Sequence, residues 1–130
     1  MYKRIGVFFS ISFVSIRLIA DFWIHAVPGA DRNTGAAFSI PVFGYVAYGI
    51  GIAGFLIIAG ILFYSKKLQY MFPAALILAA GANNMFERVR YGAVIDPIAV
   101  FNWHGNIADI VLGIGVLWLM WGMITKKDII

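Results

Sequence analysis

Cysteine is absent from this 130-residue sequence, which excludes disulfides, thiol catalysis and lipidation of the chain itself. Charge is scarce too: 12% of the residues are charged, whereas 62% are hydrophobic. A soluble domain of this length leaves a large share of its surface in water and has no means of hiding so much apolar area. The bilayer is therefore the expected solvent, with residues 1–130 forming one domain and no room for a separate soluble module. No internal repeat or low-complexity stretch is visible. The formal charge of +4 does not point to nucleic acid, because the basic residues form no stripe interleaved with polar or aromatic groups. They stand in pairs at the ends of apolar runs: Lys3-Arg4, Lys66-Lys67 and Lys126-Lys127.

What is present is length of apolar chain. A spanning helix needs roughly 20 mainly apolar residues, and the segments 5–27, 43–64, 69–88 and 107–125 meet this approximately. The fold expected is an all-α membrane protein of four transmembrane helices with a small extended outer segment. The opening Met1-Tyr2-Lys3-Arg4 imitates a secretory leader. The run behind it is too long for one and contains Arg17 and Asp21, so it reads as a retained first span. The positive-inside tendency puts all three basic pairs, and hence both termini, in the cytoplasm. Connections 28–42 and 89–106 then face outward. Asp21 lies seventeen residues after Arg4, Asn84 seventeen after Lys67, and Asp109 seventeen before Lys126. At 1.5 Å per residue each is about 26 Å from a cytoplasmic marker, near the outer edge of a core roughly 30 Å thick.

Ionisable groups at membrane depth cost energy and mark function by default. Asp96, held extended by Pro97, and Asp109, at the start of the last span, are thirteen residues apart. That distance lets an outer loop fold back and bring two carboxyls together. The plainer alternatives are a solvated loop acid and a helix-start acid with Asn106 as N-cap. Two close carboxyls share a proton, so one takes a proton from water while the other polarises or protonates an amide. Such chemistry needs no metal and no cofactor. Asn84, Glu87 and Arg88 share one helical face, as substrate or loop positioners or as a snorkelling ion pair. Arg17 and Asp21 are spaced to cancel charge within the first span, with His25 four residues on. Zinc at His25 and His104 lacks any supporting ligand motif. Gly49-x-Gly51-x-x-Gly54 on the second span permits close helix packing. The stretch Asn33-Thr34-Gly35-Ala36-Ala37-Phe38 is small-residue chain against which a peptide can lie as an added strand.

These elements together resemble the lipoprotein signal peptidases (type II signal peptidases). Asn33 to Phe38 is identical to that family's Asn-Thr-Gly-Ala-Ala-Phe element. Asn84-Met85-Phe86-Glu87-Arg88 resembles its Asn-x-x-Asp-Arg, Gly92 to Asp96 matches its Gly-x-Val-x-Asp, and Gly105 to Asp109 is similar to its Phe-Asn-x-Ala-Asp. The resemblance spans nearly the whole chain. It implies an aspartic endopeptidase of the bacterial cytoplasmic (inner) membrane, acting among membrane lipids. Its substrate would be a prolipoprotein, cut before a diacylglyceryl cysteine. Asp96 and Asp109 would be catalytic. Asn33, Gly35, Asn84, Arg88 and Asn106, with Asp21 and Glu87, would support the substrate or the acid pair. Departures are Glu87 for Asp, Gly105 for Phe, Ala79-Ala80-Gly81 where glycines dominate, His25 for a Lys, and two short outer connections. They motivate the alternative of a non-catalytic relative that binds lipidated peptides or a membrane partner. A transporter is disfavoured, because the acids gather at one level and leave no relay across the bilayer.

Overall fold

The computed structural model of the chain describes residues 1–34 and 44–125. It is mostly helical: α1 is Tyr2–Ala26, α2 Gly44–Tyr64, α3 Leu68–Tyr91 and α4 Ile107–Thr125. Four short strands accompany them, β1 (Asp31–Asn33), β2 (Val94–Asp96), β3 (Ile98–Val100) and β4 (Trp103–Gly105). The helix bounds follow the apolar runs closely except at the start of α1, which begins three residues early at Tyr2, and at the end of α3. There the chain stays helical past 88 to Tyr91 and stops at Gly92, whose left-handed φ of 74° ends the helix with its amide bonded to the Arg88 carbonyl. Among the described residues, α1 and α4 are long and apolar enough to cross a membrane. The third run falls short of that measure because polar residues interrupt it: α3 packs against each of the other three helices and buries Asn83, Asn84 and Glu87 among them.

Small residues bring the helices onto α3. Ala79 and Ala80 are fully buried against Ile16 of α1 and Ala108 of α4. Further along, Ile5 packs with Met71 and Ala75, and Tyr70 with Ile77 and Leu119. A Cβ at Gly115 would lie 2.7 Å from Ile77 Cγ1, and one at Gly122 would lie 3.1 Å from the Tyr70 ring. The α3–α4 crossing depends on both glycines. The glycines of α2 play no such part: Gly49 and Gly54 face open space, and Gly51 meets only the Met85 methyl in ordinary contact. The close packing allowed by the α2 glycine pattern is therefore not used among the described residues.

The strands gather where α1 and α3 finish and α4 begins. β1 pairs antiparallel with β2, placing Asp31 opposite Asp96 and Asn33 opposite Val94. β3 and β4 form a hairpin with Phe101 at its turn. That hairpin is how residues 97–105 fold back, carrying the chain from Asp96 to Asn106.

Candidate active site

Most of the chain's buried polar side chains lie together at the strand end: Asn33, Asn83, Asn84, Glu87, Asp96, Asn106 and Asp109. Polar groups out of water persist mainly when hydrogen-bonded, and here most of them bond to one another. Asn106 caps α4. Its Oδ1 accepts from the Asp109 amide at 2.9 Å, and its own amide donates to Asp109 Oδ2 at 3.3 Å, a reciprocal capping arrangement. Its Nδ2 donates to Asp96 Oδ1 at 3.1 Å and to Asn84 Oδ1 at 3.0 Å. Asn84 Nδ2 in turn donates to Asp109 Oδ1 at 3.1 Å. Both carboxyls are thus one hydrogen bond from the same asparagine, and two helices and a strand converge on it.

Asp96 is neither loop-borne nor solvated: it ends β2 and is 1% exposed. Burial pushes its carboxyl up to about 7, the neighbouring Asp109 adds to the rise, and the Asn33 side chain opposes it by hydrogen bonding. Smaller contributions from Glu87 and Asp31 act in the same upward direction. Asp96 Oδ2 is buried with no hydrogen-bond partner among the described residues, an acceptor left over for a ligand or water.

Glu87 holds β2 in place. Its Oε2 accepts from the Ile95 amide at 2.8 Å, and its Oε1 accepts from Arg17 Nη2 at 2.9 Å. Arg17 also donates to Asp21 Oδ1 at 2.9 Å. The Arg17–Asp21 pair expected from spacing is present, yet it forms half of a three-residue brace running from α1 through α3 to the residue before Asp96. Asp21 therefore reaches the acid pair only through Arg17 and Glu87. His25 does not engage the Asp21 carboxylate; its Nδ1 lies 2.7 Å from the Asp21 backbone carbonyl, while His104 faces Asp31. The two histidines have separate partners. Arg88 is within electrostatic reach of Asp109. Asn33 contacts Asp96 from β1, whereas Gly35, the rest of the Asn33–Phe38 element and Lys126-Lys127 lie outside the described residues.

Two features carried little sequence signal. Asn83 donates to the Phe13 carbonyl at 3.1 Å and to the Ala79 carbonyl at 3.0 Å, tying α1 to α3. Gly105, a departure from the aromatic of the related element, has the Trp103 ring in the space a Cβ would need. An aromatic ring still covers that point, supplied two residues earlier.

A cavity of about 600 Å³ opens beside the polar network, lined by Phe55 and Ile58 of α2, Leu78 and Met85 of α3, and Leu112 and Val116 of α4. Asn84 and Arg88 also line it, so the apolar groove reaches the asparagine that bonds Asp109.

The sequence model described as signal peptidase (SPase) II matches residues 6–125. A lipoprotein signal peptidase of Syntrophus aciditrophicus is 34% identical across 88% of this chain and 85% of the relative. That of Thermodesulfovibrio yellowstonii is 33% identical across 73% and 68%, and that of Sulfurovum sp. is 31% identical across 68% and 64%. A solved bacterial membrane enzyme shares the fold, with a TM-score of 0.78 over 97% of this chain and 90% of its own at 19% identity. With the family match covering nearly all of the sequence, the chain belongs to the signal peptidase II family of membrane peptidases.

Proposed function

We propose that this chain removes the signal peptide from diacylglyceryl-modified prolipoproteins by activating water between Asp96 and Asp109. The observation that carries this reading is the single asparagine, Asn106, bonded at once to Asp96 Oδ1 and to both the amide and the carboxylate of Asp109. With one proton shared by the pair, the ionised carboxylate takes a proton from water as its oxygen attacks the scissile carbonyl. The protonated partner then delivers its proton to the departing nitrogen. Asn84 and Asn106 orient the two acids, Asn33 and Arg88 adjoin them, and the Arg17–Asp21–Glu87 brace keeps β2 against α3. The apolar groove between α2, α3 and α4 suits the hydrophobic segment of a signal peptide, with Asn84 and Arg88 at its reacting end.

The same reading makes residues 1–130 one peptidase domain of the bacterial inner membrane. It has four spans with both ends cytoplasmic, and the strands form a small extended platform on the outer face. Its support is the placement of Lys3-Arg4 and Lys66-Lys67 at the bundle end opposite the buried acids. The test is cleavage of a diacylglyceryl prolipoprotein by purified protein and by Asp96→Asn and Asp109→Asn. Each variant should insert normally and lose about 10²–10⁴-fold in turnover. Undiminished cleavage by either refutes the assignment.

A further inference from the structure

We infer that a pocket on the strand side of Asp96 receives the first residues of the mature chain, with Asp31 selecting for positive charge there. This rests on the peptidase reading above. The pocket, of about 310 Å³, is lined by Asp31, Asp96, Pro97 and His104 together with the turn that follows α1. Asp31 and Asp96 are register partners across β1 and β2, so their side chains emerge on the same face of the pair. The buried, unpartnered Oδ2 belongs to Asp96, which lines this pocket. Among the described residues no Lys or Arg lines it, and His104 Nδ1 stands 4.0 Å from Asp31 Oδ2.

Asp96 lines the strand-side pocket and Asn84, bonded to Asp109, lines the groove, so the acid pair lies between two cavities whose charged residues are of opposite sign. The groove between the helices is apolar and has the cation Arg88 in its lining; the strand-side pocket carries the acids Asp31 and Asp96 among small apolar residues. That asymmetry matches the bond to be broken. The water oxygen bonds to the scissile carbonyl carbon, and the C–N bond breaks with its electron pair going to nitrogen, which takes a proton from the pair. A carboxylate forms on the signal-peptide side and an amine, soon an ammonium, on the mature side. The hydrophobic leader suits the apolar groove, which leaves the pocket past Asp31 for the mature segment. An acidic residue just after the cysteine is repelled there, and a basic one attracted.

The experiment compares two lipid-modified prolipoprotein peptides that differ only in the residue after the cysteine, Lys in one and Asp in the other. They are cleaved by the full chain, by Asp31→Asn and by Asp31→Lys. The wild-type chain should favour the Lys peptide by about tenfold in kcat/KM, a difference of about 1.4 kcal/mol. Asp31→Asn should shrink the ratio to about twofold, and Asp31→Lys should invert it, whatever either variant does to absolute rates. Added salt should compress the wild-type ratio. Equal cleavage of both peptides by the wild-type chain overturns the subsite and leaves the peptidase reading standing, as does a ratio unmoved by both variants. No cleavage of either peptide by the wild-type chain overturns both.

Discussion

Helices α2 and α3 show opposite logic within one small protein. α2 has no charged residue and exposes Ile50, Phe55, Leu56 and Ile57. α3 carries Asn83, Asn84, Glu87 and Arg88 and buries twelve residues, including the first three of these. In water the buried helix would be the apolar one. The reversal teaches that lipid rather than the protein interior receives the hydrophobic surface here. Polar groups are collected inside, where they can satisfy one another.

Breaking the polar interior of α3 should have the largest effect. Glu87→Ala leaves Arg17, whose side chain is 12% exposed, with one carboxylate fewer and the Ile95 amide with no acceptor. The cost should be about 3 kcal/mol, read as a lower melting temperature in detergent together with impaired cleavage. Glu87→Gln, which can still accept from Ile95, should fall between. The opposite face gives the complementary test. Ile57, 66% exposed on α2, changed to Lys should cost about 2.5–3.5 kcal/mol on membrane insertion. Normal insertion of that variant would show that α2 does not face lipid.

A third test sharpens the polar side through pH. Burial and Asp109 raise the Asp96 carboxyl to about 7, so its proton is held below that pH and lost above it. With that proton needed for the leaving nitrogen, kcat/KM should fall about tenfold per unit above pH 7. Because the coupled pair titrates together, the limb reports the pair. A flat profile to pH 9 would contradict it. The smallest effects separate two sets of glycines. Gly115→Ala drives a Cβ against Ile77 and should destabilise by about 1–3 kcal/mol. Gly49→Ala, in open space, should be neutral or stabilise by up to about 1 kcal/mol. Equal melting shifts for the two would erase the distinction.

Part of the polar cluster is legible in the residues themselves. Asp96, Asp109 and Asn106 were marked by intramembrane cost, by Pro97 and by capping position, and the structure brings all three into one network. Arg17 was read as a partner of Asp21 alone, because nothing in local spacing links it to Glu87, seventy residues away. Asn83 bonding across to Phe13, and Asp31 standing opposite Asp96, were equally hidden. The α2 glycine pattern promised close packing that Gly115 and Gly122 provide instead.

Composition and periodicity alone determined that this chain is a helical protein for lipid, since apolar run length and scarcity of charge are local properties that a bilayer reads directly. Only the tertiary structure decided which polar residues meet. Hydrogen bonds between α1, α3, β2 and the α4 cap depend on how helices cross and strands register, and those choices are made by packing over distances that no sequence window contains.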